Sequence, residues 1–204
     1  MLRKSKAYRI SILALFIAII IVQNFVPLFG YIPVGPLSLT TIHITVIIAA
    51  ILLGPVDGGI VGGVWGILSF IPTSPVQPLV FTNPIISILP RILIGVVAGY
   101  LFIGLTKTKL KPAISLAITA IFGSLTNAFL VLGMIAMFYR TPAVAHAYGV
   151  SDPSLIIKVL MTAVGTNSIP EMILAAVVVP IVCLPLLKHS KIKYQHVKIK
   201  RTSK

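Results

Sequence analysis

The chain alternates long apolar segments with short stretches rich in proline, glycine or lysine. An apolar run of about 20 residues can cross a bilayer as a helix, and lipid requires each spanning segment to satisfy its own backbone hydrogen bonds. The pattern therefore predicts an all-α integral membrane protein with six transmembrane helices. We expect these helices at about residues 10–26, 41–53, 56–70, 85–106, 112–139 and 166–187.

Proline and glycine mark the connections between these segments. Gly54-Pro55 should turn the chain between the second and third helices, because proline disfavours a helical conformation in the residue before it. Asp57 follows this turn and is expected to cap the third helix. Residues 27–39 and 71–84 are rich in proline and predict two loops on the outside.

Small residues recur at helical spacing on the predicted spans. Gly58, Gly62 and Gly66 lie four residues apart on the third span and leave one face as bare backbone. Such a face predicts close packing of another helix rather than direct contact with a ligand. Ala14 and Ala18 form a similar pair on the first span, where the approaching helix could belong to this chain or to a partner.

The composition and the positions of the charges support a membrane protein. Mean hydropathy is +1.08, and 10% of the residues are charged, against about 25% in soluble domains. All but three of the 17 Lys and Arg residues lie before the first span, in the connection 107–111, or in the tail 188–204. Positive charge in short loops marks the cytoplasm. We therefore expect a single membrane domain over residues 1–204 with both termini cytoplasmic, and a basic tail that contacts lipid rather than nucleic acid.

Motifs for catalysis are absent from the sequence. It contains no phosphate-binding GxxxxGK[ST] motif and no HExxH or GxSxG motif. Its three carboxylates are too few to make paired acid–base catalysis a good explanation, and its one cysteine, Cys183, excludes a disulfide framework. We therefore expect neither enzyme activity nor a bound metal or cofactor.

Two charged residues in the spans are the strongest candidates for function. Arg91 and Glu171 lie near helix ends within apolar segments, where charged groups are costly and usually pair with one another or line a cavity. Arg91 could form an ion pair with Glu171 or bind loop carbonyls. Alternatively, its guanidinium could bind an anionic substrate such as a carboxylate.

Other polar and aromatic residues near the same predicted ends could complete a binding site. A histidine at a helix start is often only a structural hydrogen-bonding residue, and an aromatic residue is often only packing. An asparagine in mid-helix needs a partner, which could be a neighbouring helix or a ligand amide. The full set of candidate substrate-binding residues is Thr40, His43, Trp65, Ser69, Phe81, Asn83, Arg91, Asn127 and Glu171.

Several motifs resemble those of S components, the substrate-binding subunits of energy-coupling-factor vitamin transporters. They include Thr41-Ile-His43, Leu53-Gly54-Pro55-x-x-Gly58, Trp65-Gly66-Ile-Leu-Ser69, Asn83-Pro84 and Leu89-Pro90-Arg91. The resemblance is greatest to the pantothenate-specific branch. It implies a multi-pass protein of the bacterial plasma membrane that captures a vitamin from outside. It further implies delivery through association with a transmembrane coupling subunit and two ATPases, with Ala14 and Ala18 contacting the coupling subunit and the loops at 27–39 and 71–84 gating the site.

Pantothenate is the substrate we favour, because an anion would explain Arg91 and hydroxyl and amide groups would suit the polar candidates. A pyridoxine-like or hydroxymethylpyrimidine-like ring is the alternative, and it would instead favour stacking on Trp65 and Phe81. A stand-alone secondary transporter is a third hypothesis. It is less well supported, because such proteins usually have internal repeats and a mid-membrane coupling carboxylate.

Overall fold

The computed structural model describes residues 6–26, 29–34, 37–71, 81, 83–139 and 141–189. The predicted loop residues 72–80 and the basic tail from residue 190 lie outside this part of the chain. The described elements are helix α1 (Lys6–Phe25), strands β1 (Tyr31–Val34) and β2 (Leu37–Thr40), and helices α2 (Ile42–Leu53), α3 (Pro55–Leu68), α4 (Pro84–Leu105), α5 (Pro112–Phe138), α6 (Pro142–Ala147), α7 (Ile156–Ala163) and α8 (Ile169–His189). A 3₁₀ turn (Pro153–Leu155) precedes α7, and a π-helical turn (Val164–Ser168) joins α7 to α8.

Helix α2 lies at the centre of the bundle. Every residue from Ile42 to Leu52 is buried, although a surface helix normally buries only one stripe. Its 12 residues extend about 18 Å at 1.5 Å per residue, which is less than the roughly 30 Å of a hydrocarbon core. Because neighbouring helices surround α2, its shortness does not expose its polar ends to lipid.

Helices α3 and α4 approach until their backbones touch. A Cβ added at Gly58 would lie 3.1 Å from the Gly95 carbonyl oxygen, and one added at Gly62 would lie 2.0 Å from the Arg91 carbonyl oxygen. One turn further along, a Cβ at Gly66 would lie 2.7 Å from the Cα of Ile88. The close packing predicted from the glycine spacing is therefore confirmed, and the order of these contacts shows that the two helices are antiparallel.

The bundle has two distinct ends. At one end, which we call the hairpin end, the β1–β2 hairpin lies among the last turn of α1, the start of α2 and the start of α8. At the other, the basic end, the α2–α3 turn packs against the last turns of α4, where Pro55 meets Gly99. The connection carrying Lys107, Lys109 and Lys111 directly follows α4, so it also belongs to the basic end.

Four helical segments in the described part of the chain are long and apolar enough to cross a membrane. They are Lys6–Phe25, Pro84–Leu105, Pro112–Phe138 and Pro153–Lys188. Helices α2 and α3 fall short of this length. The structure thus bears out a predominantly helical membrane protein and has a helix at each of the six predicted positions. In the described part of the chain, four of these segments are long enough to cross a membrane.

Two local predictions were wrong. The stretch 27–39, expected to be a loop held by prolines, contributes to an antiparallel hairpin in which Tyr31 pairs with Thr40. Asp57 does not cap α3, whose N-cap position is Gly54 with no side-chain hydrogen bond. Its buried carboxylate instead accepts a hydrogen bond of 2.6 Å from Arg9 Nε of α1. The sequence pattern missed this ion pair because its partners are 48 residues apart.

Candidate substrate-binding site

Arg91 lies about two turns after the start of α4, and only 6% of it is exposed. Its guanidinium carbon is 5.0 Å from the centroid of the Trp65 ring and 4.7 Å from that of the Phe81 ring. Nη1 donates a 2.8 Å hydrogen bond to the Ile86 carbonyl, whereas Nε is buried with no hydrogen-bond partner among the described residues. The two rings favour the cation electrostatically, but neither of them neutralises its charge.

No carboxylate pairs with Arg91 in the described part of the chain, where the ion pair found is Arg9–Asp57. The possible Arg91–Glu171 ion pair is therefore not formed. The carbonyl that Arg91 does bind is that of Ile86, which belongs to the first turn of α4 itself and not to a loop. A buried cation without a counter-ion is costly, so this position is suited to an anionic group supplied from outside the chain.

The glycine face of α3 fixes the backbone from which Arg91 projects. The Arg91 carbonyl lies against Gly62, where even a methyl group would collide with it. Helical side chains lean toward the helix N-terminus, which for α4 is the hairpin end. The guanidinium therefore reaches the level of Trp65, one turn beyond Gly62 on α3.

The two rings beside Arg91 are held by hydrogen bonds of their own. Trp65 Nε1 donates to the Tyr31 hydroxyl at 3.0 Å, and that hydroxyl donates to Asn24 Oδ1 at 3.3 Å. Burial raises the pKa of Tyr31 above its ordinary value, so the phenol keeps the proton that it donates. The Ser87 hydroxyl donates to the Phe81 carbonyl at 2.7 Å. Strand β1 and the start of α4 thus position the aromatic rings.

Glu171 lies in the first turn of α8 and is also buried. Its Oε1 accepts a 2.5 Å hydrogen bond from the backbone N–H of Thr40, at the end of β2. Thr40 is paired with Tyr31 across the hairpin. The hairpin therefore contacts Trp65, which lies beside Arg91, through β1 and contacts Glu171 through β2. The sequence candidates at residues 40, 65, 81, 91 and 171 are therefore brought to one end of the bundle.

The remaining candidates have different surroundings. Asn83 accepts a 3.0 Å hydrogen bond from Ile85 N as the N-cap of α4, and Ser69 donates to the Trp65 carbonyl at 2.9 Å. His43 is fully buried on α2, and neither ring nitrogen forms a hydrogen bond of normal geometry with the described residues, although the Thr40 backbone lies nearby. Asn127 Oδ1, on α5, is likewise buried without a partner among them.

Sequence reasoning missed several residues around the candidate site. Tyr31 and Asn24 hold Trp65 in place, Ser87 holds Phe81, and the Ser124 hydroxyl is buried without a partner among the described residues. Tyr31 lies in a stretch that was predicted as a loop, so no periodicity singled it out. Ser124 could have been found from its position three residues before Asn127 on the same helix, because residues at that spacing share a face.

Ala14 and Ala18 are both exposed on α1. The described chain does not bury either alanine, so they are not the centre of a close helix contact within it.

Comparison with known proteins agrees with the resemblance seen in the motifs. Residues 8–183 match the family described as "ECF transporter, substrate-specific component". The chain belongs to this family. Its members are transport components rather than enzymes.

Two relatives of this S component carry names that specify a substrate. The pantothenic acid transporter PanT of Lactococcus lactis subsp. cremoris is 32% identical over 92% of this chain and 97% of its own length. The pantothenate transporter PanT of Leuconostoc mesenteroides subsp. mesenteroides is 39% identical over 48% of this chain and 52% of its own length. Both relatives therefore carry the substrate name of the branch expected from the sequence.

Proposed function

We propose that this S component captures pantothenate outside the cell and delivers it inward by associating with a membrane coupling subunit and two ATPase subunits. The family assignment supports the transport role, and the names of the two relatives support the substrate. The described residues include no phosphate-binding motif, which is consistent with energy supplied by separate ATPases.

The main support for the substrate assignment is the environment of the Arg91 side chain. Its guanidinium is buried between two aromatic rings and has an unpartnered Nε, and no carboxylate of the described chain pairs with it. A substrate carboxylate would supply the missing negative charge and accept the free N–H. A charge-assisted hydrogen bond of this kind is roughly twice as strong as a neutral one.

The polar groups around Arg91 suit the rest of pantothenate, which has one amide and two hydroxyl groups. We assign the substrate site to the nine residues predicted from the sequence. Asn83 acts in it through its cap of α4, and the other eight contact the substrate. The rival pyridoxine-like or pyrimidine-like substrate would need the Trp65 and Phe81 rings for stacking. Both rings already lie within 5.0 Å of the guanidinium carbon, which favours the anionic substrate.

The proposed topology is a single domain of six membrane-crossing helices in the bacterial plasma membrane, with both termini in the cytoplasm. The short helices α2 and α3 would complete their crossings within the protein rather than in lipid. The basic end carries the Lys107–Lys111 connection, and positive loops favour the cytoplasm. The hairpin end, with the candidate site, then faces outward.

Helix α1 provides the proposed surface for the coupling subunit. Ala14 and Ala18 lie one turn apart and are exposed, and small residues let a second helix approach closely in a membrane. This face is separate from the hairpin end, so partner binding and substrate binding would use different surfaces.

The substrate assignment can be tested by titrating purified protein with pantothenate. Trp65 is the only tryptophan in the chain, so intrinsic tryptophan fluorescence reports directly on the site. Arg91→Ala should abolish binding, whereas Arg91→Lys should retain part of it because the charge remains while the planar geometry is lost. Isothermal titration calorimetry gives the affinity independently.

Lys158→Ala is the matched control, because Lys158 is an exposed cation on α7. It should bind pantothenate like the wild type. Unchanged pantothenate affinity in Arg91→Ala, or tighter binding of pyridoxine than of pantothenate by the wild type, would refute the substrate assignment.

The mode of transport needs a separate experiment. Proteoliposomes containing the S component alone should bind pantothenate without accumulating it, and accumulation should require the coupling subunit, both ATPases and ATP. Uptake against a gradient by the S component alone would instead indicate a secondary transporter.

A further inference from the structure

Buried polar atoms without partners occur on the α2 and α5 side of the site as well as at Arg91. His43 on α2 and Ser124 on α5 are 0% and 3% exposed, and the Ser124 hydroxyl has no hydrogen-bond partner among the described residues. The ring nitrogens of His43 form no hydrogen bond of normal geometry there either, although the Thr40 backbone lies nearby. The buried Oδ1 of Asn127 also lacks a partner among the described residues. Leaving such groups buried without partners is unfavourable, so this concentration points to an occupant.

Helix packing places these residues near one another. A Cβ added at Gly123 of α5 would lie 2.7 Å from the side chain of Ile47 on α2, so these two positions face each other. Helices α2 and α5 are antiparallel, because α2 and α4 run in one direction and α3 and α5 run in the other. One turn toward the hairpin end from this contact, the neighbours are therefore His43 on α2 and Asn127 on α5.

A second contact relates this group to Arg91. A Cβ at Gly58 of α3 would lie 2.4 Å from the Cβ of Ala50 on α2. Two turns toward the hairpin end from that contact lie Trp65 on α3 and His43 on α2. Since Trp65 stacks on the Arg91 guanidinium, His43 and Asn127 lie at about the same depth in the bundle as the cation, on the side of α2 that faces α5.

The two groups differ in charge. Arg91 offers a cation, whereas imidazole, hydroxyl and amide side chains offer neutral donors and acceptors. A hydroxyl group can both donate and accept a hydrogen bond, which matches the mixture of polar atoms at His43, Ser124 and Asn127. A molecule with a carboxylate at one end and hydroxyls at the other would satisfy both groups at once.

We propose that His43, Ser124 and Asn127 form a neutral subsite that binds the hydroxyl groups of the substrate, at the end remote from the carboxylate bound by Arg91. The inference rests on pantothenate as the substrate. It adds Ser124 to the binding residues and fixes the direction in which the molecule lies across the bundle.

Three ligands separate the two ends of the substrate. Pantothenate has both the carboxylate and the hydroxyls, pantothenol has the hydroxyls but no carboxylate, and N-(3,3-dimethylbutanoyl)-β-alanine has the carboxylate but no acyl hydroxyls. Ser124→Ala and Asn127→Leu should each weaken pantothenate and pantothenol about tenfold, the loss expected for one hydrogen bond. The dehydroxylated ligand should bind these variants as it binds the wild type, by isothermal titration calorimetry.

Thr126→Ala is the matched control, because Thr126 lies on the same helix and its hydroxyl bonds to the Phe122 carbonyl. It should leave all three affinities unchanged. Equal weakening of all three ligands in Ser124→Ala and Asn127→Leu, or no weakening in either, would overturn the subsite, as would wild-type protein that binds the dehydroxylated ligand as tightly as pantothenate. These results would leave pantothenate as the substrate, whereas wild-type protein that fails to bind pantothenate would refute the proposed function itself.

Discussion

The α3–α4 pair and helix α1 are both apolar, yet they are held in the bundle in different ways. Helices α3 and α4 meet backbone to backbone through their glycines, and 50% of the most apolar segment of α4 is buried. The corresponding segment of α1 is 17% buried, and an ion pair joins Arg9 in the first turn of α1 to Asp57 in the first turn of α3. The pair that carries Arg91 is therefore tightly fixed, whereas the helix with the proposed partner surface leaves most of its side chains uncovered.

The largest effect is expected from Gly62→Ala, which would place a methyl group 2.0 Å from the Arg91 carbonyl oxygen. The two helices would have to separate, and overpacking of this kind costs about 3 kcal/mol. Because the displaced backbone carries Arg91, pantothenate affinity should fall as well. Thermal unfolding in detergent and calorimetric titration measure the two effects.

The neighbouring substitution Gly63→Ala is its control. Its new Cβ would lie 3.4 Å from the Ile92 side chain, which is ordinary contact. Stability and affinity should therefore be retained. Equal behaviour of the two variants would show that the α3–α4 contact is less tight than the structure indicates.

A smaller effect is expected from Arg9→Ala, which would leave the carboxylate of Asp57 buried without its cation. Breaking a buried pair costs about 3–5 kcal/mol, but Arg9 is 57% exposed in its side chain, so solvent screening reduces the loss to about 2 kcal/mol. A double-mutant cycle with Asp57→Asn isolates the interaction. Lys6→Ala removes an exposed cation from the same helix and should have no effect, and a coupling free energy near zero would contradict the role assigned to the ion pair.

The smallest effect on the isolated protein is expected from Ala14→Leu combined with Ala18→Leu. Both positions are exposed, so larger side chains meet nothing within the described chain, and stability and pantothenate affinity should stay unchanged. Assembly with the coupling subunit should be lost, because the added side chains block close helix approach. Co-purification of the tagged S component with the coupling subunit tests this, and normal assembly would exclude this face of α1 as the contact surface.

Elements governed by local pattern were the most predictable from the sequence. The second helix was expected at residues 41–53 and spans Ile42–Leu53, and the glycine spacing on the third correctly predicted close helix packing. The β1–β2 hairpin was missed because each strand has only four residues and β1 contains Pro33. Its stability also depends on contacts with α1, α3 and α8. Such contacts leave no periodic signal in the sequence.

In the candidate site, too, local features could be predicted from the sequence and contacts between distant residues could not. Arg91 and Glu171 were recognisable as charges in apolar segments, but the sequence left open whether they pair. The structure places Arg91 between Trp65 and Phe81 and joins Glu171 to the backbone of Thr40. Tyr31 could not be recognised, because its role comes only from the indole of Trp65, which lies 34 residues away.

The sequence by itself determined that this protein is a helical membrane protein with a glycine-lined helix contact and few charges within its spans, because hydropathy and residue size act over one or two helical turns. Only the tertiary structure decided which charges pair, which side chains hold the rings around Arg91, and which polar atoms stay without partners. Those outcomes depend on groups that are distant along the chain and come together when the helices pack.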